Sequence, residues 1–296
     1  MPKPYYLLLL IPFLTGCFES ELEFEDQFEP VVEAYLYVDK AVENIKLSSM
    51  ISFGSDSSGG EMITDAIISL ENDISTWTMI HDESVPGNYY LVDSPVFSPG
   101  DSLKLTVELD EEILTASTVV PGNPPAIRKS SGSIYIPKIN DPRDFKTIVM
   151  PDPLELNWDN PEGNYYFLHI QNIESNPISI MPDIPDGMPA GRRPGGFAFE
   201  MVTEPTNGTY YSINPMMLKY YGTHRVIMSS VNDEYVNLYS SLNQDSRELN
   251  EPYSNITNGL GIFTAFNSDT LYIEIINKAS SARSANDEAL VVLNRF

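Results

Sequence analysis

Gly100-Asp101-Ser102-Leu103-Lys104-Leu105-Thr106-Val107-Glu108-Leu109 decides the fold class of this 296-residue chain. Leu103, Leu105, Val107 and Leu109 alternate with Ser102, Lys104, Thr106 and Glu108, the period-two pattern of a strand with one buried face. Pro99-Gly100-Asp101 before the run has turn chemistry, and Asp110-Glu111-Glu112 after it reads as a hairpin turn.

Short β-like runs of the same kind surround it. Val31–Val38, Ile45–Phe53, Ala66–Glu71, Thr76–His81, Tyr89–Val92 and Leu114–Val120 bring the number of expected strands to seven. With turns such as Pro86-Gly87-Asn88 between them, they predict a β-sandwich of immunoglobulin-like size over residues 30–122. Gly54 to Gly60 has the composition of a flexible loop. Pro121-Gly122-Asn123-Pro124-Pro125 marks a domain boundary, because consecutive prolines stiffen the chain and donate nothing to a sheet.

A second β region occupies residues 123–296. Leu154, Leu156 and Trp158 alternate into a core, Asp159 to Asn164 turns, and Tyr165–Ile170 returns as a strand. The pattern resembles the opening hairpin of a fibronectin type III domain. Residues 181–196 hold four prolines and four glycines and predict a long irregular excursion. After a strand at Arg225–Val231, Tyr235, Leu238, Tyr239 and Leu242 fall at helical spacing behind Asn232, a candidate N-cap. Ile262–Phe266 and Leu271–Ile276 read as two strands around an Asn267-Ser268-Asp269 turn. The expectation is a mainly β protein of two immunoglobulin/fibronectin-III-like sandwiches, the second with an inserted helix.

The start of the chain reads as an export signal over residues 1–16: Lys3, an apolar stretch from Tyr5 to Leu14, then Leu14-Thr15-Gly16-Cys17. That stretch is about half of the ~20 residues a membrane-spanning helix needs. Leu-Thr-Gly-Cys resembles a lipobox, which implies cleavage between Gly16 and Cys17 and lipid attachment at Cys17. Cys17 is the chain's single cysteine, so no intrachain disulfide forms. Residues 17–29 read as an acidic tether. The 17 Lys and Arg against 42 Asp and Glu give a net charge of −25, which argues against nucleic acid as a partner.

Motifs for chemistry are scarce. His81, His169 and His224 form no His-Glu-x-x-His or His-x-His set. There is no Gly-x-Ser-x-Gly elbow and no phosphate-binding Gly-x-x-x-x-Gly-Lys loop. The acids read as solvated charges, with Asp233-Glu234 at a helix start, where they favour the dipole. No Asp-x-Asp-x-Asp-Gly calcium loop occurs. No catalytic residue, metal site or cofactor is expected. Arg192-Arg193 forms a basic spot able to clasp an acidic partner. The doublets Tyr89-Tyr90, Tyr165-Tyr166, Tyr210-Tyr211 and Tyr220-Tyr221 place one ring on each face of a strand, leaving rings for protein or sugar contact.

Tyr253-Ser254-Asn255-Ile256-Thr257-Asn258-Gly259-Leu260-Gly261-Ile262-Phe263-Thr264-Ala265-Phe266 carries a family resemblance. Together with Pro30–Ala34, Gly100–Val107 and Thr115–Thr118, it is similar to the Bacteroidota lipoprotein family known as domain of unknown function 4249. Its most specific part is Asn-Gly-Leu-Gly-Ile-Phe. The resemblance implies an outer-membrane lipoprotein, often encoded beside a TonB-dependent transporter, with no established activity. Glu19, Glu21 and Glu23, just behind Cys17, resemble the surface-export signal of such lipoproteins. Asp101-Ser102-Leu103 and Asp269-Thr270-Leu271 resemble their O-glycosylation acceptor, at Ser102 and Thr270. The expected role is a non-enzymatic accessory or binding component of a TonB-dependent transporter, held on the membrane by lipid and facing the cell surface. A surface glycan-binding or adhesive module, and a hydrolase using paired carboxylates, are the alternatives.

Overall fold

In the computed structural model, Leu103, Leu105 and Val107 are at most 1% exposed on β7 (Ser102–Leu109), while Ser102, Lys104 and Glu108 face solvent. The structure describes residues 29–38, 40–51, 59–110, 112–139, 149–181, 200–242 and 253–277. β7 pairs with β3 (Ile67–Glu71) and β8 (Glu112–Val119), and β4 (Thr76–Thr78) completes a four-stranded sheet in the order β4-β3-β7-β8. The β7–β8 hairpin turns at Asp110, whose φ of 45° is the left-handed conformation that tight hairpin turns require.

The facing sheet contains β1 (Pro30–Tyr37), β2 (Ile45–Ser49), β5 (Ile80–His81) and β6 (Asn88–Tyr90). The seven expected strands thus become eight, because Thr76–His81 divides between the two sheets. The Met79 amide still donates to Ile68 O at 2.8 Å, whereas Ile80 and His81 pair with Tyr90 and Tyr89. Met79 is buried at the corner, and a strand that changes sheet in this way closes one end of a sandwich.

Past the Pro121–Pro125 segment, β9 (Arg128–Lys129), β11 (Leu154–Asn157) and β14 (Tyr210–Ile213) form a three-stranded sheet ordered β14-β11-β9. It packs on β10 (Ser133–Ile136), β12 (Tyr165–Asn172), β13 (Glu200–Val202) and β15 (Gly222–Val231), around Ile136, Leu156, Trp158, Leu168, Val226 and Ile273. β11 and β12 are therefore not a hydrogen-bonded hairpin, contrary to expectation. Trp158, 2% exposed, fills the space between the sheets, and Asp159–Asn164 carries the chain across to the other sheet.

The largest departure is β16 (Leu260–Asn277), one strand of 18 residues where two were expected. At about 3.3 Å per residue it reaches roughly 60 Å. Its first half runs parallel to β1, Val31 opposite Leu260 through Tyr37 opposite Phe266; its second half pairs with β15 and with β10. Asn267-Ser268-Asp269 does not turn, because these residues pair with Ser230, Ser229 and Met228. The Asn267 amide nitrogen donates to Pro121 O at 3.1 Å and to Asn123 Oδ1 at 2.9 Å, so the linker supplies the partners that water supplies in a turn. One nine-stranded sheet, among the described residues, therefore belongs to both sandwiches. Ile256, Phe263 and Ala265 return to the first core from the far end of the chain, so residues 30–122 do not close that core alone.

The helix α1 (Asp233–Leu242) follows β15 as expected, with Asp233 and Glu234 in its first turn. Asn232 is not a side-chain cap. Its carbonyl accepts the first helical bonds from Tyr235 and Val236, while its amide nitrogen donates across to Thr118 Oγ1 (3.0 Å) and Val119 O (2.6 Å) on β8. A tie between the sandwiches has taken the side chain that capping would use.

The Asn-Gly-Leu-Gly-Ile-Phe segment has a physical explanation at the start of β16. Asn258 adopts a φ of 63° and donates from Nδ2 to Ile113 O at 2.9 Å. A Cβ on Gly259 would meet Leu114 Cδ2 at 2.6 Å; one on Gly261, whose φ is 109°, would meet Val32 O at 2.0 Å. Only glycine lets β16 approach β1 this closely. Gly261→Ala should lower stability in denaturant unfolding by at least about 2 kcal/mol. Gly132→Ala, where nothing lies within 4 Å, should change it by under about 0.5 kcal/mol. Equal effects would contradict the close approach.

Candidate functional site

Alternation along β1 sends Val32, Ala34 and Leu36 into the first core and turns Glu33, Tyr35 and Tyr37 to the opposite face. The parallel register sets Thr264 beside Tyr35 and Phe266 beside Tyr37. Phe167 from β12 and Tyr235 from α1 complete a ring cluster centred on Phe266. Its ring centroid lies 5.0 Å from Tyr235, 5.2 Å from Tyr37, 5.7 Å from Phe167 and 6.1 Å from Tyr35. Edge-to-face and offset contacts at such distances add about 0.5–1.5 kcal/mol per pair beyond area burial. The cluster joins a strand of the first sandwich to a strand and the helix of the second.

Burial removes water from the phenols. Desolvation, helped by the Glu33 carboxylate, pushes the Tyr35 hydroxyl up to about 12, and desolvation also raises Tyr37 and Tyr235. All three remain protonated hydrogen-bond donors at neutral pH. Thr264 is fully buried, and its hydroxyl has no partner among the described residues. Beside the rings opens a groove of about 370 Å³ lined by Glu33, Tyr35, Tyr37, Lys40, Asn44 and Lys46. Lys40 Nζ sits 4.4 Å over the Tyr37 ring, a cation–π contact within the groove lining. This mixed ring and charge surface is suited to recognition.

A second cavity, about 440 Å³, lies between the sandwiches. Ser102, Ser117 and Thr118 line it from the first, and Asn164, Tyr165, Asp233 and Glu234 from the second. The Asn232 bonds to β8 fix its two walls relative to each other.

Of the residues singled out in the sequence, Ser102 is exposed at that cleft, behind a turn closed by Ser98 N donating to Asp101 Oδ2 at 2.7 Å. Thr270 is exposed within β16 and follows no turn. Gly16, Cys17, Glu19, Glu21, Glu23, Arg192 and Arg193 lie outside the described residues. The tyrosine doublets divide as the alternation requires: Tyr89, Tyr166 and Tyr221 are buried, and Tyr210 is 66% exposed. The histidines stay apart. His81 accepts from Gly87 N, His169 lies 3.4 Å from Glu200, and burial lowers the His224 pKa next to Asn172. Among the described residues no three His, Cys, Asp or Glu side chains gather as metal donors. The ring cluster escaped the sequence reading because its five rings come from four elements far apart in the chain. The available signal was the outward set Glu33, Tyr35, Tyr37 on β1.

A family model described as "Domain of unknown function (DUF4249)" matches residues 19–271. No curated protein matches the chain. A solved structure, "Crystal structure of chicken CNTN1 FN1-FN3 domains", is similar at 9% identity and a TM-score of 0.26, covering 84% of this chain and 67% of its own.

The raised phenols set an alkaline limit. With a folded pKa above the unfolded value of 10, Tyr35 keeps its proton in the folded chain while the unfolded chain loses it. The contribution to stability is full below pH 10 and is lost as pH rises toward about 12. Tyr35→Phe should flatten the fall in stability across that window. An unchanged profile would place the Tyr35 hydroxyl in water.

Proposed function

The chain belongs to the DUF4249 family, and from that premise we propose that it is a non-enzymatic, lipid-anchored cell-envelope protein serving as a binding component of a TonB-dependent outer-membrane transporter. The observation that carries this reading is the joint. Two sandwiches held by one strand keep the ring-lined groove and the inter-sandwich cleft in fixed relation, as a recognition surface requires. Cys17 supplies the anchor, since several acyl chains at about 0.8 kcal/mol per buried methylene hold a protein on a bilayer where one chain does not. The acids that follow, with Glu19, Glu21 and Glu23 among them, extend the tether by self-repulsion and address the protein to the cell surface. Arg192-Arg193 offers a basic contact to an acidic loop of the partner, and Ser102 and Thr270 are the sites at which O-linked sugar would be attached.

Two measurements test the reading. Cys17→Ser should move the protein from the membrane fraction to the soluble fraction or strand its precursor; full membrane retention would contradict the anchor. Affinity purification from detergent-solubilised membranes should recover a TonB-dependent transporter with the wild-type chain, and repeated recovery of the lipoprotein alone would contradict the partnership.

A further inference from the structure

The cleft between the sandwiches differs in chemistry from the groove on the ring face. Its lining carries the hydroxyls of Ser102, Ser117 and Thr118, the amides of Asn164 and Asn232, the phenol ring of Tyr165, the carboxylates of Asp233 and Glu234 and the apolar side chains of Val119 and Val231, and no basic residue lines it. Its volume of about 440 Å³ falls among small-molecule sites, roughly 300–1,000 Å³. We propose that this cleft binds a neutral saccharide.

Two carboxylates accept hydrogen bonds from hydroxyl donors, and charge-assisted bonds of this kind are about twice as strong as neutral ones. An anionic ligand would meet the same carboxylates without a cation to offset them. A divalent cation takes six or more oxygens around it, and Asp233 and Glu234 are joined by no third acid among the described residues. An apolar ligand would strand the hydroxyls and carboxylates without water. A sugar ring presents hydroxyls at its rim and C–H groups on its faces, matching carboxylates, hydroxyls and amide around one aromatic ring.

The surrounding contacts prepare the site. Asn164 is fixed by its backbone amide donating to Asn160 Oδ1 at 3.0 Å and by Nδ2 donating to Glu162 Oε2 at 3.1 Å. Thr118, 3% exposed, accepts from Asn232 Nδ2 through Oγ1, which fixes the β8 wall of the cleft. Tyr165 is held opposite Val231 in the β12–β15 ladder. With both walls tied through Asn232 and β16, the cleft exists before a ligand arrives, which lowers the ordering cost of binding.

This inference deepens the recognition role proposed above, and its test needs no transporter. The full mature lipoprotein in detergent is applied to an array of neutral and acidic oligosaccharides, and hits are measured by calorimetry with and without calcium chloride. At least one neutral oligosaccharide should bind without calcium. Asp233→Asn with Glu234→Gln, near-isosteric at a helix start, should weaken it about tenfold or more. Ile74→Ala, at an exposed turn of the first sandwich outside the cleft lining, should leave that affinity unchanged. No neutral binder on the array, binding only of acidic sugars, a strict need for calcium, or indifference to the Asp233 and Glu234 changes would each overturn the proposal. Glycan binding without transporter recovery would refute only the transporter partnership. Recovery without glycan binding would refute only the saccharide site.

Discussion

The backbone ladder of β16 is the interaction on which the rest of the structure depends. One uninterrupted strand is bonded to β1 in the first sandwich and to β15 and β10 in the second, so the nine-stranded sheet that serves both sandwiches is continuous only through it. Its inward face changes cores without changing parity: Phe263 and Ala265 enter the first core, Ile273 and Ile275 the second. Between them Asn267 faces the linker, where its two donated bonds compensate a polar group that is 5% exposed. A polar residue in that place is what allows one strand to leave one core and enter another.

The remaining joint contacts become possible once that strand fixes the distance between the sandwiches. Phe266 on β16 gathers Tyr35, Tyr37, Phe167 and Tyr235, drawing α1 onto the sheet although none of the helix residues is itself buried. Asn232 reaches β8 from the other direction. The groove and the cleft are by-products of this construction, two surfaces whose walls come from distant stretches of the chain. That construction holds the two surfaces in fixed relation, unlike two flexibly linked domains.

Much of the fold was legible because period-two alternation survives in strands with one buried face. β7 and β11 announce themselves in this way, through Leu103, Leu105, Val107 and Leu109 and through Leu154 and Leu156, and α1 through the spacing of Tyr235, Leu238 and Tyr239. The errors fall where a residue's usual preference is overruled by a distant partner. Asn267-Ser268-Asp269 has turn composition, yet β15 and the linker satisfy its backbone and side chain. Asn232 has cap composition, yet β8 takes its amide. Thr76–His81 reads as one strand, and its alternation fails only at the adjacent apolar pair Met79-Ile80, where the chain changes sheet. The candidate surfaces were less legible still, since Tyr35, Phe167, Tyr235 and Phe266 become neighbours only through long-range pairing. The glycines of the Asn-Gly-Leu-Gly segment were visible as a family signature, but their cause, the approach of β16 to β1, is a tertiary fact.

The chain carries a reporter in each sandwich: Trp77 packs against the first core, and Trp158 lies within the second. Equilibrium unfolding in denaturant, followed by the fluorescence of Trp77→Phe and Trp158→Phe single-tryptophan variants, therefore asks whether the shared strand makes one cooperative unit. After correction for each variant's stability by circular dichroism, the two fluorescence transitions should coincide with the loss of β signal. Two separate transitions, with one sandwich persisting after the other has melted, would contradict the account.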